Sequence, residues 1–132
     1  MIPAPVAVGL HLCHNLVVQP DTHDVTLTRV FRILRTPLHP STIRPFSAFA
    51  SIHGPEGRGI LRVAIFRAHD QDVLYSMSNP VEFRDRFTPV YLTLRMSHFR
   101  FPSAGEYEMM LMIDRDVIAQ RVFHVVAAGV EP

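Results

Sequence analysis

Hydrophobic positions recur at a spacing of two in most stretches between turn signals, the period of a strand with one buried face. Residues 90–97 are the cleanest case. Val90, Leu92, Leu94 and Met96 alternate with Tyr91, Thr93, Arg95 and Ser97, which predicts one dry and one wet face. Residues 6–12 place Val6, Val8, Leu10 and Leu12 on one side, and 16–19 continue as strand. Residues 25–34 form the next strand, after a turn at Pro20-Asp21-Thr22-His23-Asp24. Residues 46–53 alternate through Phe46, Ala48, Ala50 and Ile52, and 60–67 through Leu61, Val63 and Ile65.

The breaks between these runs carry the remaining signals. Thr36 to Ser41 and Arg44-Pro45 make a proline-rich crossover that cannot sit in a central strand, and Gly54 to Gly59 reads as a flexible loop. His69-Asp70-Gln71-Asp72 turns the chain into a strand at 73–77. Asn79-Pro80 ends it, and Val81-Glu82-Phe83 adds a short strand before Arg84-Asp85-Arg86. No window sustains a helical i, i+3, i+4, i+7 pattern. Seven to nine short strands with regular turn signals predict an all-β, immunoglobulin-like antiparallel sandwich. The expectation is a single domain over 1–132, with an ordered core over about 6–126 and a frayed tail at 127–132.

The chain closes on the most specific local pattern. Phe101-Pro102-Ser103-Ala104-Gly105-Glu106-Tyr107 leads through Glu108 into the apolar run Met109 to Ile113, then Asp114-Arg115-Asp116 and a last strand over 117–126. Ser103-x-Gly105-x-Tyr107 matches a tyrosine corner, in which the hydroxyl bonds backbone a few residues upstream; the other reading is a core Tyr after a Gly turn. Met109 stands where an antibody domain has its second cysteine, and the chain has no Trp.

In the following strand Tyr107, Met109, Leu111 and Ile113 suit the core, which sends Met110 and Met112 outward. They are either a sticky interaction face or a surface covered by the proline-rich crossover. With Tyr91 and Arg95 on the wet face of 90–97, they are the candidate interface residues.

Composition changes this picture little. The 132 residues are 48% hydrophobic and 19% charged, ordinary values for one globular domain. A net charge of +1 argues against a nucleic-acid surface. All 13 basic residues are Arg, either a functional choice of planar contacts or a compositional bias. Arg alternates with aromatics in Phe31-Arg32, Phe66-Arg67 and Phe99-Arg100-Phe101, which is ordinary for a sandwich. The one cysteine, Cys13, excludes an intrachain disulfide. No apolar run reaches the ~20 residues that span a bilayer, and the first residues lack a signal-peptide pattern. A soluble cytoplasmic protein, with no membrane partner, is expected.

Chemistry is sparse. His11-x-Cys13-His14 supplies two donors on one face, but a zinc site needs three or four, so Cys13 reads either as a ligand or as a small buried residue. Paired acids in the turns offer a calcium site if the loops converge, from Asp21, Asp24, Glu56, Asp114 and Asp116; otherwise Asp is there because turns favour it. No nucleophile elbow is present, Cys13 and His14 diverge as strand neighbours, and Gly57-Arg58-Gly59 lacks the remainder of a phosphate loop.

Several of these segments taken together resemble an uncharacterised family of small bacterial all-β domains of unknown function. They are Cys13-His14-Asn15-Leu16-Val17, Val25-Thr26-Leu27-Thr28-Arg29-Val30-Phe31, the Phe-rich central strands and Phe101-Pro102-x-x-Gly105-Glu106-Tyr107. The likeness runs from about Val6 to Val125; His14 stands where the pattern has an acidic residue. The resemblance implies the sandwich and brings no catalytic residues. The function expected is a non-catalytic interaction or assembly module without cofactor, self-associating or docking onto a protein partner. The alternative is a module taking carbohydrate or calcium at one loop end.

Overall fold

The computed structural model describes residues 5–36 and 45–127. Among them lie nine strands and no helix: β1 (Val6–Val18), β2 (Val25–Val30), β3 (Ile33–Thr36), β4 (Phe46–His53), β5 (Gly57–Arg67), β6 (Val73–Phe83), β7 (Val90–Met96), β8 (Gly105–Ile113) and β9 (Asp116–Ala127). They form a four-stranded sheet, β2-β1-β4-β7, and a five-stranded sheet, β3-β9-β8-β5-β6. Every pairing is antiparallel except β3 with β9. The result is the expected all-β sandwich.

The period-two strands fill its interior. Ala48, Ala50 and Ile52 of β4 and Leu92 and Leu94 of β7 face Val63, Ile65, Met109 and Leu111 of the other sheet. Small alanines across from large residues let the layers interdigitate. At one end Phe46, Phe99, Phe101, Tyr107 and Phe123 pack with ring centroids 4.7 to 6.3 Å apart, mostly edge to face. Phe31 closes this cluster from the link between the two sheets.

Four expectations change. Val6 and Val8 do not share a face with Leu10 and Leu12. Gly9, at φ 71°, is an extra residue in β1, and the register steps from Val8↔Ser51 to Leu10↔Ala50. Val6 and Val8 are therefore exposed, while Leu10 and Leu12 are buried. The run 25–34 is two strands: Phe31-Arg32 carries the chain from β2 in one sheet to β3 in the other. Asn79-Pro80 does not interrupt β6, because β6 is an edge strand and proline's missing donor costs nothing on the open side. Gly57 to Gly59 begin β5, with Gly57 at φ 143°, and are not loop. Most of the proline-rich crossover, residues 37–44, and the tail from 128 lie outside the described residues, as does any cover they give Met110 and Met112.

Candidate functional site: the outer face and free edge of the four-stranded sheet

The Gly9 bulge and a folded hairpin shape this face. Cys13 pairs with Ser47, whose neighbours Phe46 and Ala48 point into the core, so both Cys13 and Ser47 point outward. Both are nonetheless buried. The β1–β2 hairpin folds across them: Arg95 Nη2 donates to the Leu16 carbonyl at 3.0 Å, and the hairpin tip borders the same cleft as His11, Phe49 and Tyr91. Arg29 sits at φ 55° within β2, a left-handed residue where the hairpin coils. Burial pushes the Cys13 thiol up from its ordinary value, which keeps it protonated and unreactive.

Beyond the hairpin the outer face is open and apolar. Val8, Ser51 and Tyr91 form one row across β1, β4 and β7, and Val6 pairs with His53 beside it. Val6, Val8 and Tyr91 are exposed, as is Phe87 in the β6–β7 loop, at 77%. That loop is ordered. Asp85 accepts the amides of Phe87 and Thr88, each at 2.8 Å, and these bonds hold its carboxyl below the usual range. Arg86 lies over the Phe87 ring, 5.0 Å from its centroid. Between Val6, His53, Glu56 and Phe87 lies a hollow of ≈ 500 Å³.

The four edge strands differ. β3 is four residues long, β6 carries Pro80 and β2 contains the left-handed Arg29. β7 has none of these devices. It pairs with β4 in unbroken register from Phe46↔Met96 to Ile52↔Val90, and its other side has no strand partner among the described residues. Its one charged side chain, Arg95, is drawn to Leu16.

The candidate interface residues fall on two opposite surfaces. Tyr91 and Arg95 lie on the face just described. Met110 and Met112 lie on the outside of the five-stranded sheet, half-buried, Met110 between Ala64 and Gln120 and Met112 between Arg62 and Val117.

The five acids expected to converge are not brought together. Glu56, Asp114 and Asp116 border one cavity of ≈ 320 Å³ that also has Arg58 in its wall. The Asp114 carboxylate is occupied by the Ile60 amide, at 2.9 Å. Asp21 and Asp24 ride on the hairpin turn, and Asp24 borders a different cleft. Among the described residues no three His, Cys, Asp or Glu side chains are grouped so as to hold a metal, so the His11–Cys13–His14 step gains no further ligand there. His14 instead packs its ring 5.2 Å from Phe31.

Sequence reasoning missed Val6, Val8 and the edge character of β7. A lone glycine within an alternating run was the available signal for the first. Nothing in a period-two pattern marks an edge.

Fold and surface together define a β-sandwich domain with a tyrosine corner, an apolar outer face and an unguarded edge. The chain belongs to the family of unknown function DUF6941, whose model matches residues 10–126. No curated protein matches it.

Proposed function

We propose that the protein is a non-catalytic assembly module that pairs with a second copy of itself along β7. The observation that carries this reading is that, among the described residues, β7 is the one of four edge strands without a guarding device. An exposed edge offers a row of unsatisfied backbone donors and acceptors, and proteins that stay monomeric blunt such rows. Two copies of one strand pair antiparallel about a two-fold axis, which closes the assembly at a dimer and joins two four-stranded sheets. A pairing centred on Thr93 sets Thr93 against Thr93 of the partner subunit, and Tyr91 against Arg95 of the partner subunit. Hydroxyl pairs and cation–aromatic pairs both stabilise such positions. Phe87 and Tyr91 supply apolar area beside the axis. The tyrosine corner and the parallel β3–β9 pairing support an immunoglobulin-like reading of the sandwich. A free, buried Cys13 is consistent with a cytoplasmic, reducing setting. No helix among the described residues is long and apolar enough to cross a membrane.

Sedimentation velocity over a concentration series tests this reading. A dimer is expected for the native chain and a monomer for Thr93→Lys, which sets two like charges face to face on an exposed position. Thr93→Cys should form an intermolecular disulfide under mild oxidation, while buried Cys13 stays unreacted. A native chain that remains monomeric at every concentration would overturn the proposal.

A further inference from the structure

The tip of the β1–β2 hairpin does not close onto the sheet beneath it. It leaves a cleft of ≈ 330 Å³ between His23 and Asp24 of the turn and His11, Phe49 and Tyr91 of the sheet. That volume lies within the range of small-ligand sites, about 300–1,000 Å³. Phe49 and Tyr91 form an aromatic wall, with ring centroids 5.4 Å apart and planes tilted by 56°. The bulge places His11: a Cβ on Gly9 would come within 2.8 Å of His11 Nε2, so the imidazole occupies space that only glycine leaves open. Bulges commonly re-aim a side chain next to a site.

The turn is held by its own backbone. The Gln19 amide donates to the Asp24 carbonyl at 2.8 Å, the His23 amide to the Gln19 carbonyl at 2.9 Å, and the Asp24 amide to Thr22 Oγ1 at 3.2 Å. The side chains around the cleft are uncommitted by contrast. Among the described residues the Asp24 carboxylate, the His23 imidazole and the Tyr91 hydroxyl accept and donate no hydrogen bond. His11 Nδ1 is buried with no hydrogen-bond partner among the described residues.

We propose that this cleft binds a neutral carbohydrate, with one pyranose ring against Tyr91 and Phe49 and its hydroxyls on Asp24 and the imidazoles. The walls combine an apolar aromatic surface with donors and acceptors in close alternation. A sugar ring presents C–H bonds on its face and hydroxyls, each donor and acceptor at once, around its rim. A cation would suit the rings and Asp24, but the two imidazoles offer it no countercharge. An anion would meet the Asp24 carboxylate. The cleft lies within one chain and shares Tyr91 alone with the proposed pairing, so the site needs no second copy.

Saturation-transfer NMR on the whole chain tests the assignment, with the methyl pyranosides of glucose, galactose, mannose and N-acetylglucosamine at millimolar concentration. Transfer is expected for at least one of them, strongest at ring C–H protons. Tyr91→Ala and Asp24→Ala should each weaken binding about tenfold, the effect of losing one good contact. Both positions are exposed, and circular dichroism confirms the fold of each variant. The same measurement at protein concentrations on either side of any monomer–dimer transition seen in sedimentation should give the same binding, which separates failure here from failure of the dimer. Absence of transfer from all four sugars, or transfer unchanged in both variants, would overturn the proposal. So would binding of methylguanidinium in their place, which would mark a cation site.

Discussion

The Tyr107 hydroxyl donates to the Ser103 carbonyl at 2.6 Å, and its oxygen lies 3.4 Å from the Ser103 amide. The ring is fully buried between Phe101 and Phe123. One side chain thus fixes the chain's entry into β8 and anchors the aromatic end of the core. Gly105, two residues earlier, has φ 144° and nothing within 4 Å of where a Cβ would stand, so the glycine serves conformation and not space. Tyr107→Phe should cost about 1–3 kcal/mol, the penalty of a buried bond lost with its acceptor left behind. Urea unfolding measures it; a loss under about 0.5 kcal/mol would mean that the bond contributes nothing beyond packing.

Gly9 is the second such position, for two reasons at once. Its φ of 71° disfavours any Cβ, and the Cβ would also meet His11 Nε2 at 2.8 Å. Gly9→Val should destabilise by at least about 1–2 kcal/mol from the backbone term alone. His11→Ala in the same chain should recover part of that loss, because it removes the clash and leaves the strain. Denaturant midpoints of the two variants and their combination decide this; no recovery would show that the ring gives way freely.

Much of the fold was legible in the sequence because β4, β5, β7 and β8 each bury one face, and period two is all that such a strand needs to announce. Tyr107 was legible because its corner is local. What stayed hidden depends on partners. A bulge at Gly9 flips Val6 and Val8 without changing their spelling. Phe31-Arg32 reads as strand whether the chain stays in one sheet or crosses to the other. Pro80 reads as a break unless its strand is known to be an edge. The outer-face cleft needed the hairpin to fold back, which rests on Arg95 meeting Leu16, 79 residues apart in sequence.

Arg67 and Asp70 set an acid-side dependence. Arg67 donates to both Asp70 oxygens, at 3.2 and 2.8 Å, and this hydrogen bonding, with the Asp72 amide, lowers the Asp70 pKa from 3.8 to about 2. A depressed carboxyl stabilises the fold above its unfolded value, and the contribution is lost as pH falls through the folded value. The pair is exposed, so the effect is modest and weakened by salt. Asp70→Asn keeps an acceptor for the Asp72 amide and removes the charge. The native chain should melt above the variant from neutral pH down to about pH 4, and the two curves should converge near pH 2. A gap that persists unchanged at pH 2 would assign the difference to the turn and not to the ion pair.

The two Met side chains supply the sharpest contrast between possible assembly surfaces. Met110 and Met112 are outward and apolar, yet Arg62 and Gln120 are their direct cross-strand neighbours and Glu108 precedes them on the same face. Charges within such a patch have to be desolvated by any partner that covers it, at a cost a flat apolar contact does not repay without pairing each one. The β7 edge has no such obstacle, since in the proposed pairing its backbone groups would be satisfied by the same groups of a second copy. The double variant Met110→Ser, Met112→Ser should therefore leave the sedimentation coefficient unchanged and lower stability by roughly 1 kcal/mol per half-buried side chain. Thr93→Lys should do the reverse, giving monomers of native stability. If the methionine variant dissociates the dimer and Thr93→Lys does not, the copies meet through the five-stranded sheet and the β7 reading fails.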